Sequence, residues 1–450
     1  ADWLNAHLSY VIVYEVLFLG AFAFWAIVRA YNPELNSTEK PMELAFLNGI
    51  LRSPRMPPYD PWLSGYSISY YYLGYFIVAM LAKLAGNVGN IAFNLAIALL
   101  FALTLAGSYG LASNLLAARH KVISNTVSGL LAPILVGVMG NWEGFLELLR
   151  ALNLSFVPIA FWQWLDIEDL SDPLAKILWP PDTWRFWWWW RASRVIQDRD
   201  LTGTSIGLQP IDEFPSFSFL LGDMHPHVLA LPFILLALAL AFNLLNQGRE
   251  IDRRQIAFYA LCFGGLAFIN TWDFPIYTFV LLVCLLLPAL VGPLREEFKW
   301  TALWSKVSPL VAVVGTGIIL YFPWYISFRS QLGGILPNVL FPTRLNQFVV
   351  MMGPFLVILI WYLIRSSLSH WRLAHWRVGL SVGAGVLIVL ILITITLGLL
   401  ALRLDPAAQV FLLSNTGFPV DGTAEELAMR TNQALGTVLI YRLQRPLTAI

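Results

Sequence analysis

Long apolar runs separated by short polar segments are the dominant pattern of this chain. A run of about twenty apolar residues can cross the hydrocarbon core of a bilayer as a helix. Such runs predict membrane spans at 8–30, 68–84, 91–114, 122–140, 226–246, 256–271, 274–291, 308–325, 347–365 and 379–402, with a last one beginning near 434. A weaker apolar stretch covers 152–165. The pattern predicts an all-α polytopic integral membrane protein with about 11–12 transmembrane helices.

Two polar regions interrupt this pattern, and each is predicted to carry interfacial helices. The first outer loop, 31–66, contains an amphipathic stretch at 39–52, with Thr38 or Ser37 as its N-cap and Pro41 in its first turn. The second is the Trp-rich outer region 166–224, and the C-terminal helices occupy 226–450. We predict a single transmembrane domain over 1–450, a fragment of a longer chain that begins at Ala1 and stops inside a predicted span.

Basic residues predict the orientation, because short cytoplasmic loops are enriched in Lys and Arg. Three loops of this kind, at 249–254, 295–306 and 365–377, alternate with the spans and are predicted to be cytoplasmic. Region 166–224 and the turn at 270–273 then lie outside the plasma membrane. Loop 31–66 shares that side only if 152–165 crosses the membrane and Arg119-His120-Lys121 lies outside, against the usual bias. We adopt this topology because it places the polar clusters in one compartment.

Composition narrows the function classes. The chain is 58% hydrophobic and 12% charged with a net charge of +1, so nothing indicates binding to nucleic acid. The two cysteines, Cys262 and Cys284, lie in apolar runs and offer no disulfide or metal framework. The sequence contains no P-loop, dinucleotide fingerprint, nucleophile elbow or zinc spacing, which argues against ATP hydrolysis, redox chemistry and zinc proteolysis.

Three carboxylates in the first loop are candidates for catalysis. Glu39 and Glu43 are four residues apart and share one helical face, while Asp60 follows the Pro57-Pro58 turn. One of them can act as a general base or a metal ligand at the membrane surface. The alternative is a solvated amphipathic helix followed by an ordinary turn aspartate.

A second candidate lies at the start of the span at 226–246. Asp223 is placed as its N-cap, and a helix start is a ready site for a phosphate. His225 and His227 can supply a proton, a hydrogen bond or a metal bond. Their spacing of two favours separate roles over a shared metal. The alternative is a capped helix with interfacial histidines.

Two further polar groups are predicted on the outer side. Asn270 and Asp273 lie in a tight turn between two spans, and the alternative interpretation is a plain helical hairpin. Arg191 and Arg194 follow the tryptophans at 187–190. They are three residues apart on one helical face, so together they can bind a phosphate. The alternative is an aromatic anchor whose arginines pair with ordinary lipid phosphates.

These motifs together resemble a known family. TEKPMELAFLNGILRS, PPYDPWLSGYSISYYYLGY, FWWWWRASRVI, IDEFPSFSFLLGDMHPHVLALPF and INTWDFPIY resemble the "YYY" family of uncharacterised bacterial and archaeal membrane proteins, over about residues 1–300. The layout is similar to GT-C membrane glycosyltransferases, which transfer a sugar from a polyprenyl-phosphate donor at the outer face. The usual Asp-Glu or Glu-X-Asp pair is absent, and Glu39-Lys40 and Glu43 stand in its place.

The resemblance implies roles for the candidate residues. The catalytic carboxylate is Glu39, Glu43 or Asp60, and Asp223 is a further catalytic candidate. The leaving phosphate and the donor are held by binding residues, namely Trp62, Tyr70, Tyr71, Tyr72, Arg191, Arg194, His225, His227, Asn270 and Asp273. A divalent cation is used by some members of the class, and the sequence leaves metal use open.

Two other functions remain open. A transporter or flippase for a lipid or small solute is hinted at by Glu15 in the first span and by the Gly353-Pro354 break. A structural subunit would use the Trp-rich surface to pack against protein partners in the membrane. Under all three functional hypotheses, membrane lipid is a partner of the protein.

Overall fold

The computed structural model describes residues 2–120, 126–153, 157–173, 190–201, 203–207, 209–247, 251–291, 300–329, 340–370 and 376–444. Within these ranges the chain forms helices and no β-strand, apart from isolated bridges that pair Tyr59 with Ser67 and Arg199 with Ser205. The predicted all-α class is confirmed. The tryptophans at 187–189 lie outside the described residues.

Among the described residues the helices follow one another along the chain, with a 3-10 turn at Arg191–Ser193. They are α1 (Asp2–Ala6), α2 (Leu8–Tyr31), α3 (Lys40–Arg52), α4 (Leu73–Ala85), α5 (Gly89–His120), α6 (Thr126–Gly129), α7 (Leu131–Gly137), α8 (Glu143–Ala151), α9 (Ile159–Leu165), α10 (Pro215–Leu221), α11 (Pro226–Gln247), α12 (Arg253–Ile269), α13 (Asp273–Val291), α14 (Trp300–Leu320), α15 (Phe322–Ser327), α16 (Leu345–His370), α17 (Trp376–Leu404), α18 (Pro406–Thr416) and α19 (Ala424–Gln444).

Five helices of the described chain are long and apolar enough to cross a bilayer, which confirms a polytopic membrane protein. They are α2, α5, α11, α16 and α17. Shorter apolar helices cover Leu73–Ala85, Val127–Gly137, Asp273–Leu287 and Val307–Leu320. Most predicted spans therefore correspond to apolar helices with shifted ends.

Several details differ from the predictions. The span predicted at 68–84 begins at Leu73, because residues 67–72 are not helical. The stretch at 122–140 contains the short helices α6 and α7, interrupted at Leu130. The helix predicted from 434 starts at Ala424, ten residues earlier in the chain.

The predicted crossing at 152–165 is wrong for the described residues. Only α9, with 7 residues, falls there, and a helix rising about 1.5 Å per residue needs about 20 residues to cross the membrane. The two sequence features that indicated a transporter also differ in the structure from what was expected. Glu15 is exposed on the surface of the chain, and α16 runs unbroken through Pro354.

The chain divides into two compact units, one of residues 1–139 with 218–331 and the other of residues 140–217 with 332–450. In the first unit, α3 buries Phe46, Leu47 and Ile50 in the main apolar core. These positions recur at helical spacing, so one face of α3 is apolar and packs inward. Glu43 lies on the same face and is fully buried.

The second unit contains a half-buried ion-pair group. Asp166 accepts hydrogen bonds from Arg199 at 2.6 Å and pairs with Arg344 at 2.6 Å. Burial by itself raises the pKa of Asp166, but the two guanidinium groups outweigh it and lower the pKa below its usual value. The Gln347 side chain donates to the Asp166 carbonyl at 2.9 Å, which fixes the start of α16 against this group.

Candidate functional site

A buried cluster of charged side chains in the first unit is the candidate functional site. Glu43 is fully buried in the first turn of α3, and its Oε2 accepts a hydrogen bond from the Met224 backbone N–H at 2.7 Å. Asp223, the neighbouring residue, is also buried. Residues 181 positions apart in the chain thus meet, and the corner before α11 is fixed onto the start of α3.

His225 connects two carboxylates. Its Nδ1 lies 3.5 Å from Glu43 Oε1 and 3.3 Å from Glu39 Oε2. Burial by itself lowers the pKa of His225, but the carboxylates of Glu43, Glu39 and Asp223 outweigh it and raise the pKa to about 9. The ring is therefore an imidazolium at neutral pH, and each of its nitrogens is a donor.

The predicted caps at both helix starts are corrected by the structure. The carbonyl of His225 accepts the first helical hydrogen bonds, from Val228 and Leu229, so His225 rather than Asp223 occupies the N-cap position of α11. Glu39 takes that position in α3 without a side-chain cap bond, in place of Thr38 or Ser37. Both helix starts thus point toward the same cluster, where their free N–H groups favour anions.

Two cations that the sequence interpretation missed complete the cluster. Arg29, near the end of α2, is buried and donates from Nε to Asn94 Oδ1 at 2.9 Å. Lys40 is buried as well. Its burial and the Arg29 guanidinium lower its pKa, while the nearby carboxylates, Asp223 first, oppose that shift.

The cluster brings carboxylates and cations of the chain together. Glu43, Asp223 and His225 offer ligand atoms within 4.8 Å of one another and can hold a metal ion if the imidazole gives up its proton. The chain itself, however, places the His225 imidazolium, Lys40 and Arg29 beside these carboxylates. We therefore interpret the cluster as an ion-pair network.

The signals for the missed residues were weak but present. Arg29 is a lone basic residue at the end of an apolar run, and Lys40 lies between the candidate carboxylates Glu39 and Glu43. Gly222 is a third case, because its φ of +70° is left-handed and an added Cβ would overlap the Arg29 guanidinium. Glycine therefore permits both the turn and the close approach of the arginine.

His227, Asn270 and Asp273 extend the cluster. The rings of His225 and His227 have centroids 5.1 Å apart. His227 lies within electrostatic range of the Asp273 carboxylate at the start of α13. Asn270 Nδ2 donates to Asp273 Oδ2 at 2.9 Å. Five of the predicted site residues therefore form one connected polar group with Glu39 and Glu43.

Asp60 organises a separate turn and is not part of the cluster around Glu43. Its Oδ1 accepts the backbone N–H groups of Trp62 at 2.7 Å and Leu63 at 2.9 Å, which makes it the organising residue of a turn. Asp60 also lines a cavity with Arg52 at the C-terminal end of α3. Nine residues of helix separate Arg52 from Glu43, which is roughly 14 Å at 1.5 Å per residue.

The three tyrosines pack inside the first unit. Tyr72 meets Phe268 edge-on at 4.7 Å, and Tyr71 packs against Phe328 at 5.3 Å. Tyr70 lies beside Phe46 at 5.3 Å. Burial, with Glu39 and Glu43 nearby, raises the pKa of Tyr70, so its phenol stays a neutral donor at the edge of the cluster. Trp62, by contrast, is 73% exposed.

Arg191 and Arg194 belong to the second unit. The Arg191 guanidinium donates to Glu168 at 2.7 Å and also pairs with Asp169. Arg194 stacks over the Trp190 ring at 3.7 Å. Both cations therefore have partners within their own unit, and the expected phosphate grip remains a prediction.

The imidazolium leads to an expected pH dependence of stability. A histidine whose folded pKa is raised from 6.5 to about 9 contributes its full stabilisation below pH 6.5 and loses it as the pH rises through 9. A difference of this size corresponds to roughly 3 kcal/mol. We expect the melting temperature of the purified protein to fall between pH 6.5 and 9, measured by intrinsic fluorescence. The His225→Gln variant should show a flatter profile over that window, and an unchanged profile in the variant would contradict the ion-pair assignment.

Comparison with known proteins supports the membrane assignment. Residues 2–438 match the model of the family DUF2298, described as an uncharacterized membrane protein. Neither the curated proteins nor the solved structures contain a match. Because the family match covers nearly the whole chain, the protein belongs to the DUF2298 family of uncharacterized membrane proteins.

Proposed function

We propose that this protein is a membrane glycosyltransferase that transfers a sugar from a polyprenyl-phosphate donor to an acceptor hydroxyl. The observation that carries the proposal is the meeting of Glu39, Glu43, Asp223 and His225 at two helix starts. The reaction needs a base for the acceptor and positive charge for the leaving phosphate, and this cluster supplies both.

Glu39 is the best placed base. Its side chain is 54% exposed, whereas Glu43 is fully buried and held by the Met224 N–H, so Glu39 can reach an acceptor. The acceptor oxygen forms a bond to the anomeric carbon while its proton moves to the Glu39 carboxylate. The bond between that carbon and the phosphate oxygen breaks, and the polyprenyl phosphate leaves with the electron pair.

His225 stabilises the leaving group. Glu43 and Glu39 hold its Nδ1, which leaves Nε2–H as the second donor of an imidazolium. A cationic donor beside the N-terminus of α11 favours the charge that develops on the phosphate in the transition state. Glu43 positions the ring and keeps it protonated.

The position of the charges favours transfer over transport. Arg29 lies at the end of α2, Glu43 in the first turn of α3, and Asp273 at the start of α13. Carriers instead place ionisable groups and broken helices near the bilayer midplane. A cluster at helix ends suits a headgroup-level reaction. We place it on the extracytoplasmic face of the plasma membrane, because the basic loops at 249–254, 295–306 and 365–377 put the start of α11 outside.

The test is donor turnover by the purified protein in liposomes. With a polyprenyl-phosphate sugar and a lysate-derived acceptor pool, mass spectrometry should detect the released polyprenyl phosphate. Glu39→Gln and His225→Gln should each lower the rate about 100-fold or more, the range expected for the loss of a general base or of a transition-state donor. Glu425→Gln, an exposed glutamate on α19, is the matched control and should keep the wild-type rate.

Two results would overturn the proposal. One is the absence of donor binding and of turnover across the polyprenyl-phosphate sugars tried with wild-type protein. The other is turnover that is equal in the Glu39→Gln, His225→Gln and Glu425→Gln variants.

A further inference from the structure

A cavity in the first unit lies apart from the acidic cluster, and its lining includes several polar residues. Its volume is about 420 Å³, within the range of small-molecule sites. The polar part of the wall comes from Asn48, Arg52, Ser53, Tyr59 and Asp60. The reaction proposed above uses none of these residues.

Opposite charges line this cavity without meeting across it. In the described part of the chain, the Arg52 guanidinium makes no ion pair and no side-chain hydrogen bond. Asp60 uses its Oδ1 for the Trp62 and Leu63 N–H groups and forms no ion pair with Arg52 within the described residues. Charges of both signs in one cavity suit a ligand that carries both an anion and a cationic donor.

The wall of the cavity is preformed. Ser53 Oγ accepts the Tyr59 N–H at 2.8 Å, and the Asp60 N–H donates to the Tyr66 carbonyl at 2.9 Å. A Cβ at Gly49 would lie 3.3 Å from the Tyr59 carbonyl oxygen, so the loop packs tightly on α3. A site that needs little ordering loses little free energy on binding.

The loop that forms this wall also exposes large apolar side chains. Trp62, Leu63 and Tyr66 are 73%, 60% and 68% exposed. Tryptophan and tyrosine are favoured at the headgroup level of a membrane, where an apolar ring and a polar group are both satisfied. The ligand is therefore expected to come from the lipid surface.

We propose that this cavity binds the zwitterionic headgroup of a phospholipid, with the phosphate at Arg52 and the ammonium at Asp60. A planar guanidinium binds phosphate oxygens with two parallel hydrogen bonds. The carboxylate accepts from a primary ammonium, which makes phosphatidylethanolamine the preferred lipid over the donor-free choline headgroup. The site anchors the first loop to the bilayer beside the acidic cluster.

The experiment is native mass spectrometry of the full chain released from nanodiscs that contain phosphatidylethanolamine, phosphatidylcholine and phosphatidylglycerol in equal amounts. Wild-type protein should retain phosphatidylethanolamine preferentially. Arg52→Gln should lower its retention about tenfold, because the variant loses the charged donor that binds the phosphate. Asp60→Asn keeps a side-chain oxygen that can accept the Trp62 and Leu63 N–H groups, so the turn should persist. The variant should no longer prefer phosphatidylethanolamine over phosphatidylglycerol.

Lys83→Gln is the matched control, because Lys83 is an exposed cation in the same unit that does not line the cavity. A second arm titrates O-phosphoethanolamine into wild-type protein that still carries its bound lipid. Displacement of bound lipid at millimolar concentration assigns recognition to the phosphate ester alone, and the absence of displacement assigns it to the membrane-held lipid. Equal lipid retention by wild type, Arg52→Gln, Asp60→Asn and Lys83→Gln would overturn the proposal, whether or not glycosyl transfer is found.

Discussion

Replacing Glu43 with alanine is expected to lower the free energy of unfolding by about 3–5 kcal/mol, the cost of removing one partner from a buried ion pair. Glu43 is fully buried, accepts the Met224 N–H at 2.7 Å, and lies 3.5 Å from the His225 imidazolium. The alanine variant leaves that N–H without its acceptor and His225 with weaker compensation for its charge. The measurement is thermal and denaturant unfolding in detergent micelles, followed by tryptophan fluorescence.

Two control variants separate the effect of the Glu43 charge from the effect of its size. Glu43→Gln keeps an oxygen that can accept the Met224 N–H and removes only the charge, so its loss should be smaller than that of alanine. Glu425→Ala, on an exposed part of α19, should stay within about 0.5 kcal/mol of wild type. A Glu43→Ala variant as stable as Glu425→Ala would contradict the role assigned to the buried carboxylate.

Gly222→Ala is expected to produce the second large effect. The φ of Gly222 is +70°, where a Cβ costs about 1–2 kcal/mol, and the new Cβ would overlap the buried Arg29 guanidinium. Overpacking of this kind adds about 1–3 kcal/mol. Displacement of the guanidinium would also disturb its hydrogen bond to Asn94. The free energy of unfolding should fall by the sum of these costs.

The chain offers a matched control for that substitution. Gly86 ends α4 with a φ of +69°, nearly the same backbone strain, but nothing lies within 4 Å of its added Cβ. Gly86→Ala should therefore show the backbone cost alone. The difference between the two variants measures the close approach of Arg29. If both variants lost the same free energy of unfolding, the position of Arg29 would not require the absence of a side chain at residue 222.

The helices and the site were predictable to different extents. The apolar runs predicted the long helices well, because length and apolarity alone decide whether a segment is stable in a bilayer. Their ends were predicted less well. The tyrosine run at 70–72 is apolar enough to join a span, yet the helix begins at Leu73, where tertiary packing of the rings decides the start.

Asp60 and Glu43 show the limit of reasoning about the site. Both are loop or helix-start carboxylates with similar surroundings in the sequence. One organises an exposed turn through the Trp62 and Leu63 N–H groups, while the other is buried against Met224 and His225. Spacing along the chain does not reveal which of the two meets a partner more than a hundred residues away.

The sequence by itself determined that this protein is an α-helical membrane protein and that its polar residues gather in a few short segments. Hydrophobic length and local polarity are properties of each segment, so they can be read without knowing the fold. Only the tertiary structure decided that Arg29 and Lys40 join Glu39, Glu43, Asp223 and His225 in one cluster of opposite charges. Electrostatic partnership depends on distances of a few ångströms between distant segments, and helix packing alone sets those distances.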